Sequence, residues 1–191
     1  MNSLIVEGGP LAVSLAEARA WLRLGPADED GVVTALIRAA TNMCEMMTGQ
    51  LLIVREVSEE RPLRSGWLRL ARQPVRSVVD VTVRDDAGLP AVLARAAWEL
   101  RADGDGGVAV AVLDDGAGQS VMVRYRAGLA TDAAAVPDAL KQGMLRMIQH
   151  LYAARDSEKL GGVADVAMPN IVTALWTPWR RVRLALPGVA P

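Results

Sequence analysis

The hydrophobic pattern of this chain changes its period twice, and these changes limit the folds that the chain can adopt. Over residues 15–48 the apolar side chains recur with the spacing of one helix face. From Leu51 they alternate with polar residues over short runs, as they do in strands. The helical spacing returns at Pro137. The sequence therefore predicts an α+β fold in which a β region is inserted between helical segments.

Three main helices are predicted. The first begins at a capping box, with Ser14 as N-cap and Glu17 reaching back to its amide. The second runs from about Asp30 to Thr48 and ends at Gly49, a residue suited to a left-handed C-terminal position. Its wide apolar face indicates the central helix of a small bundle. The third occupies about residues 137–155.

The β region is predicted from short alternating runs that are separated by turn sequences such as DDAG, DGDGG and DDGAG. Such runs, with turns between them, favour an antiparallel hairpin-rich sheet or a small sandwich. The candidate strands are residues 53–58, 79–84, 98–100, 108–113 and 121–125.

The predicted domain organisation follows from these elements. Residues 1–50 and 132–156 would form the helical bundle, and residues 51–131 the inserted antiparallel β region. Residues 157–191 would form a loop and an extended C-terminal tail, because a glycine-containing stretch separates them from the third helix.

Composition excludes several classes of protein. Of the 191 residues, 51% are hydrophobic and 23% are charged, which is typical of a globular chain and not of a disordered one. A net charge of −1 argues against a dominant role in binding polyanions. The one cysteine cannot form an internal disulfide, and we find no signal peptide or membrane span. We therefore expect a soluble protein of the cytoplasm.

Signatures of catalysis, cofactors and metals are not found. His150 is the only histidine and lies inside the third predicted helix, where packing or exposure is a better interpretation than general-base chemistry. Cys44 is expected to be a buried thiol, and the methionines around it are expected to fill the core. An enzyme such as a small hydrolase would need polar residues that the sequence does not bring together.

Two binding motifs were considered and not favoured. Residues 103–107 resemble the start of a calcium loop, but the twelfth position holds Asp114 where such loops have a bidentate Glu, so a hairpin turn is predicted. The first two helices could form a helix-turn-helix. Their acidic connection and a second helix with Arg38 as its only base argue against DNA recognition.

The segment TALWTPWRRVRL, near the C-terminus, is the strongest candidate for a binding function. It places Trp176 and Trp179 beside Arg180, Arg181 and Arg183. Tryptophan and arginine are the residues most enriched at protein–protein hot spots, so the segment suits a docking peptide. Two other interpretations stay open: the tryptophans could cover their own helical bundle, or they could stack on single-stranded nucleic acid.

The order of several motifs resembles the head–tail connector (adaptor) proteins of long-tailed phages, which also occur in prophages and gene transfer agents. The motifs are SLAEARAWLRL, an acidic turn, VVTALIRAATNMCEMMTG, LARQPVRSVVDVTV, VPDALKQGMLRMIQHLYAARD and the terminal WTPWRRVRL. The resemblance covers nearly the whole chain. It implies a structural role without catalysis or cofactors.

The resemblance also implies the partners. Such connectors form a ring beneath the portal, usually of twelve copies, which extends the channel for double-stranded DNA without reading its sequence. They assemble in the host cytoplasm and then lie in the neck, between the portal and a stopper or tail-completion protein. The alternative function is that of a DNA-binding or packaging-associated accessory protein. The residues expected to contact the portal are Trp176, Pro178, Trp179, Arg180, Arg181 and Arg183.

Overall fold

The chain divides into two compact units. The computed structural model describes residues 3–6, 8–25, 29–64, 66–102, 107–113, 118–159, 167–181 and 189–190. Residues 10–53 and 130–180 form one unit, here called the helical unit. Residues 1–9, 54–129 and 181–191 form the other, called the β unit. The fold is α+β, and this prediction from the sequence is confirmed.

The helical unit is built from α1 (Leu15–Leu22), α2 (Asp30–Thr48), α3 (Asp138–Lys159) and α4 (Asn170–Trp176). A 3-10 turn at Thr177–Trp179 follows α4. The core of the unit consists of side chains from α2, α3 and α4 that have no more than trace exposure. They are Val33, Ile37, Ala40, Cys44, Leu140, Met144, Met147, Ile148, Val172 and Trp176.

The predicted helix ends are confirmed where the sequence contains a cap. The Ser14 Oγ accepts a hydrogen bond from the Glu17 amide at 3.1 Å, and the Ser14 amide donates to the Glu17 carboxylate at 2.8 Å. At the end of α2, Gly49 has a φ of 69° and donates its amide to the Glu45 carbonyl at 2.9 Å. Glycine adopts this left-handed conformation without steric cost, which explains why the helix ends there.

Part of the predicted tail is helical in the structure. Residues 170–179 form α4 and its 3-10 turn, whereas the sequence analysis expected an extended segment. The reason is that Val172 and Trp176, four positions apart, both bury against the helical unit and so reward a helical backbone. Residues 160–166, 182–188 and 191 of that segment lie outside the described residues.

The β unit contains short strands that include all five of the predicted ones. The strands are β1 (Ser3–Val6), β2 (Arg55–Pro62), β3 (Trp67–Arg69), β4 (Val75–Arg84), β5 (Pro90–Val92), β6 (Trp98–Ala102), β7 (Val108–Val112), β8 (Ser120–Ala127) and β9 (Val189–Ala190). The turn predicted between β4 and β5 is present, with Gly88 at a φ of 77°. Residues 103–106 and 114–117, where the other two turns were predicted, lie outside the described residues.

Within the described residues the strands form two sheets. One has the order β1-β2-β8-β4-β5, and the other has the order β6-β7-β3-β9. Neighbouring strands are antiparallel except for β9, which pairs with β3 in parallel. The central strand β8 alternates a buried face with a polar one: Val121, Val123 and Tyr125 are buried, whereas Arg124 and Arg126 lie on the opposite face. In the described part of the chain, none of the helices is long and apolar enough to cross a membrane.

Candidate partner-binding site

Trp176 belongs to the core of the helical unit. Its side chain is fully buried, and its Nε1 donates a hydrogen bond to the Leu140 carbonyl at 3.2 Å. The indole lies so close to Gly143 of α3 that a Cβ at this position would stand 2.1 Å from Nε1. Gly143 therefore provides the space that the ring occupies. The sequence left open whether the tryptophans dock a partner, cover their own helical bundle or stack on nucleic acid. Trp176 covers its own helical bundle.

The residues that follow Trp176 lie at the surface of the same unit. Pro178 and Arg180 are exposed, and Trp179 is half-buried. The Gln50 side-chain amide, at the end of α2, donates to the Trp179 carbonyl at 2.6 Å. This bond fixes the 3-10 turn against the C-terminal end of α2. Arg181 is partly exposed, and Arg183 lies outside the described residues. We call Pro178, Trp179 and Arg180, exposed or half-buried residues of the 3-10 turn and its end, the C-terminal patch.

Met46, near the C-terminal end of α2, is an exposed apolar residue that the sequence did not indicate. Its side chain is 82% exposed, although the methionines of this helix were expected to fill the core. The signal that could have found Met46 is its place two residues after the buried Cys44, which turns it away from the core side of α2.

The charge of the C-terminal segment has one sign. Residues 166–191 include no Asp or Glu but contain Arg180, Arg181 and Arg183. In the sequence, the apolar residues of the patch are thus followed by arginines, whose planar guanidinium donors suit carboxylate acceptors. The arrangement favours a partner with apolar side chains flanked by acidic ones.

The residues considered for catalysis do not form a reactive centre. Burial raises the pKa of the Cys44 thiol to about 12, so the thiolate is scarce at neutral pH. In the described part of the chain, the His150 Nε2 is buried without a hydrogen-bond partner, so this nitrogen is not paired with a nucleophile. No three His, Cys, Asp or Glu side chains of the described residues stand close enough together to hold a metal ion.

If α1 and α2 formed a helix-turn-helix, α2 would be the helix that reads DNA, and its surface does not support this role. Its exposed positions would have to carry bases or amides that reach phosphates and base edges. Among them, Arg38 is the only base and Asn42 the only amide. The exposed positions of α2 are Gly31, Val32, Ala35, Arg38, Asn42 and Met46.

The β unit contains a buried polar cluster, which is structural. The Glu59 carboxylate accepts from the Arg61 Nε at 3.0 Å, the Ala71 amide at 2.9 Å and the Tyr125 hydroxyl at 3.0 Å. The Tyr125 oxygen in turn accepts from the Arg72 amide at 3.0 Å. Burial, and then the Glu59 charge, raise the pKa of Tyr125 far above its ordinary range. The cluster has no open side for a substrate, because Glu59 and Tyr125 are both buried.

The chain is similar over its full length to chains of solved gene transfer agent particles. One, from the neck of an empty gene transfer agent particle computed with C6 symmetry, is 27% identical with a TM-score of 0.76, and 100% of each chain is covered. Another, from the neck of the native particle computed with C12 symmetry, is 25% identical with a TM-score of 0.74, covering 98% of this chain and 100% of that one. A third, from the virion of the native particle, is 26% identical with a TM-score of 0.73, covering 97% and 98%.

No protein-family model matches the sequence, and no curated protein matches it either. The likeness therefore depends on solved structures, and it extends over both units and all their described elements. These neck chains confirm the resemblance of the sequence to the head–tail connector family: the protein is a relative of a structural component of the particle neck.

Proposed function

We propose that the protein is a head–tail connector (adaptor) that forms a ring beneath the portal of a phage or gene transfer agent particle. The observation that supports this most directly is the full-length likeness to chains from the particle neck. The necks of those particles were computed with C6 and C12 symmetry, which supports a ring of twelve copies here. In this proposal the chain assembles in the host cytoplasm and then lies in the neck.

The ring extends the channel for double-stranded DNA and offers its other side to a stopper or tail-completion protein. The net charge of −1 suits this role, because DNA must slide through the ring and many phosphate contacts would hold it back. The absence of a reactive centre among the described residues also suits a structural component.

The portal contact is made by the C-terminal patch, together with Arg181 and Arg183. The sequence indicated that Trp176 contacts the portal directly, but its buried side chain can take part in the contact only indirectly. As a buried anchor it holds α4 and the 3-10 turn in place, and the turn presents Pro178, Trp179 and Arg180. An acidic and apolar segment of the portal would complement this surface.

The test is co-purification of the full-length chain with its portal protein. Truncation before α4 is unsuitable because it would remove Trp176 from the core. Arg180→Glu reverses one exposed charge and leaves the buried residues untouched, and we expect it to lower the retained amount about tenfold or more. Arg38→Glu reverses the charge of an exposed arginine on α2 and serves as the matched control.

The outcomes separate the parts of this proposal. Retention of the unaltered chain and of Arg38→Glu, with loss of Arg180→Glu, supports the patch. Equal retention of all three means that other residues contact the portal. If the unaltered chain is not retained by the portal at all, the connector function itself is refuted.

A further inference from the structure

The two edges of the five-stranded sheet expose large apolar side chains. β1 and β5 lie at opposite edges of that sheet. On β1, Ile5 is 63% exposed and Leu4 is also exposed; at the other edge, Leu89 is 65% and Val92 is 71% exposed. Apolar side chains at both edges of one sheet are therefore available for contact with another chain.

The β1 edge lacks the features with which sheets usually avoid association, and the β5 edge, a short strand that begins with Pro90, has them only in part. Natural edge strands are blunted by charged side chains, by proline or by a bulge. β1 has the sequence SLIV, without charge or proline, and β5 has the sequence PAV, in which only the first residue is proline. In the described part of the chain, each pairs with one strand alone. As far as the described residues show, no second strand covers either edge.

The exposure of Leu89 is part of an ordered turn. The Leu89 amide donates to the Asp85 carboxylate at 2.8 Å, and the Asp85 amide donates to the Leu89 carbonyl at 3.3 Å. The Arg84 guanidinium donates to the Gly88 carbonyl at 3.2 Å. These bonds hold Leu89 at the end of the hairpin, so its position outside the core is a defined feature of the fold.

Several charged side chains of the polar face between the two edges form ion pairs with one another. Arg124 pairs with Asp80 and, at 3.6 Å, with Glu56, and Arg84 pairs with Glu60 at 3.3 Å. Ile5 lies opposite Ser58 and Val92 lies opposite Thr82, which places both on this same face. The face therefore has a paired polar centre and an apolar margin at each side.

We propose that these margins are the contact between neighbouring copies of the chain, with the β1 edge of one copy against the β5 edge of the next. The inference rests on the ring proposed above. A ring needs a head-to-tail contact, in which each copy offers two different surfaces to its two neighbours. The two apolar margins meet this need, because they differ from each other and lie at opposite ends of one sheet.

The contact is made by side chains and does not extend the sheet from copy to copy. With the usual twist of about 20–25° per strand, β1 and β5 are turned by about 80–100° relative to each other across four strand pairs. Neighbours in a twelve-fold ring are rotated by only about 30°. The β1 strand of the next copy therefore crosses β5 at a large angle, which permits apolar packing but not a continuous hydrogen-bonded ladder.

The test is cross-linking of the assembled ring with a short bismaleimide reagent. The variant Ile5→Cys with Val92→Cys, assembled with its portal, should give a ladder of covalent oligomers up to the ring number. Each single variant should give monomer only, because in a head-to-tail contact a residue does not meet the equivalent residue of a neighbouring copy. Cys44 is buried and does not compete for the reagent. Ile5→Cys with Leu113→Cys is the control, since Leu113 is exposed but lies beside the other sheet.

Three results overturn the inference. They are an assembled ring without a ladder, a ladder of equal extent from the control, and dimers from either single variant, which would show a two-fold contact. All three leave the connector function intact, because the ring still forms on the portal. Failure of the unaltered chain to assemble with its portal refutes the proposed function and this contact together. As a second measurement, Val92→Asp should lower the yield of rings about tenfold without unfolding the chain, because Val92 is exposed.

Discussion

The two units differ in how they satisfy the polar groups that they bury. In the helical unit the Thr41 and Thr48 hydroxyls donate to carbonyls four residues back on the same helix, each at 2.7 Å. In the β unit, Glu59 accepts from Arg61 on its own strand, from Ala71 after β3 and from Tyr125 on β8. Buried polar groups of the first kind are satisfied locally, whereas those of the second kind join distant parts of the chain.

This difference shows what each unit depends on. The helical unit is held by the shape of an apolar core, in which Trp176 fits the space at Gly143. Each unit also buries a carboxylate, but Glu45 of the helical unit accepts from the nearby Leu52 amide at 3.0 Å, whereas Glu59 of the β unit joins three parts of the chain. Loss of the Glu59 carboxylate would leave several donors unsatisfied at once. The helical unit should therefore be most sensitive to volume, and the β unit to charge.

The largest effect is expected for Trp176→Ala in the helical unit. Removal of a buried indole leaves a cavity and removes the hydrogen bond to the Leu140 carbonyl, and it should lower the free energy of unfolding by about 3–5 kcal/mol. Trp179→Ala is the matched control, because that side chain is half-buried and should cost about 1 kcal/mol or less. Chemical denaturation monitored by circular dichroism measures both. Similar costs for the two would contradict the anchoring role of Trp176.

A smaller effect is expected for Glu59→Gln in the β unit. The substitution keeps the shape of the side chain but removes its charge. It also replaces one acceptor oxygen by an NH2 group, which would face the donors that now bind the carboxylate. The free energy of unfolding should fall by about 2–3 kcal/mol. Glu60→Gln, on the exposed side of the same strand, breaks a surface ion pair to Arg84 at 3.3 Å and should cost about 1 kcal/mol or less. If Glu60→Gln lowers the free energy of unfolding as much as Glu59→Gln does, the burial of Glu59 does not explain the effect.

Features encoded within a few residues could be predicted from the sequence. The start of α1 follows from Ser14 and Glu17, and the end of α2 from Gly49, because these caps act on their own backbone. Five of the described strands likewise follow from their alternation, whereas β1, β3, β5 and β9 are too short to show one. The pairing of β8 with β2 and β4 could not be predicted, since it joins residues far apart in sequence and has no local signal.

The candidate site was predicted only in part, for the same reason. The sequence indicated Pro178, Trp179 and Arg180, which lie at the surface, but it could not separate them from Trp176. That separation depends on Gly143, more than thirty residues earlier, where a missing Cβ makes room for one of the two rings. The exposure of Met46 was missed because the buried Cys44 and Glu45 precede it directly in the sequence.

The smallest effect is expected at a local contact of the helical unit, the capping box of α1. Hydrogen bonds from the Ser14 amide and then its hydroxyl lower the pKa of the Glu17 carboxyl below its ordinary value of 4.5. A lowered pKa means that the ionised carboxylate stabilises the fold. This contribution is fully present above about pH 4.5 and is lost as the pH falls through the pKa of the folded state.

Glu17→Gln resembles the protonated side chain, so it should lower the free energy of unfolding by about 0.5 kcal/mol at pH 7 and by almost nothing at pH 2. Ser14→Ala removes the cap itself and should cost about 1 kcal/mol at pH 7. Part of that cost should persist at pH 2, because the hydroxyl accepts from the Glu17 amide whatever the charge of the carboxyl. Denaturation curves at the two pH values measure both variants. The cost of Glu17→Gln should therefore change with pH. A cost that does not change would mean that the side chain of Glu17 acts through its shape and not through its charge.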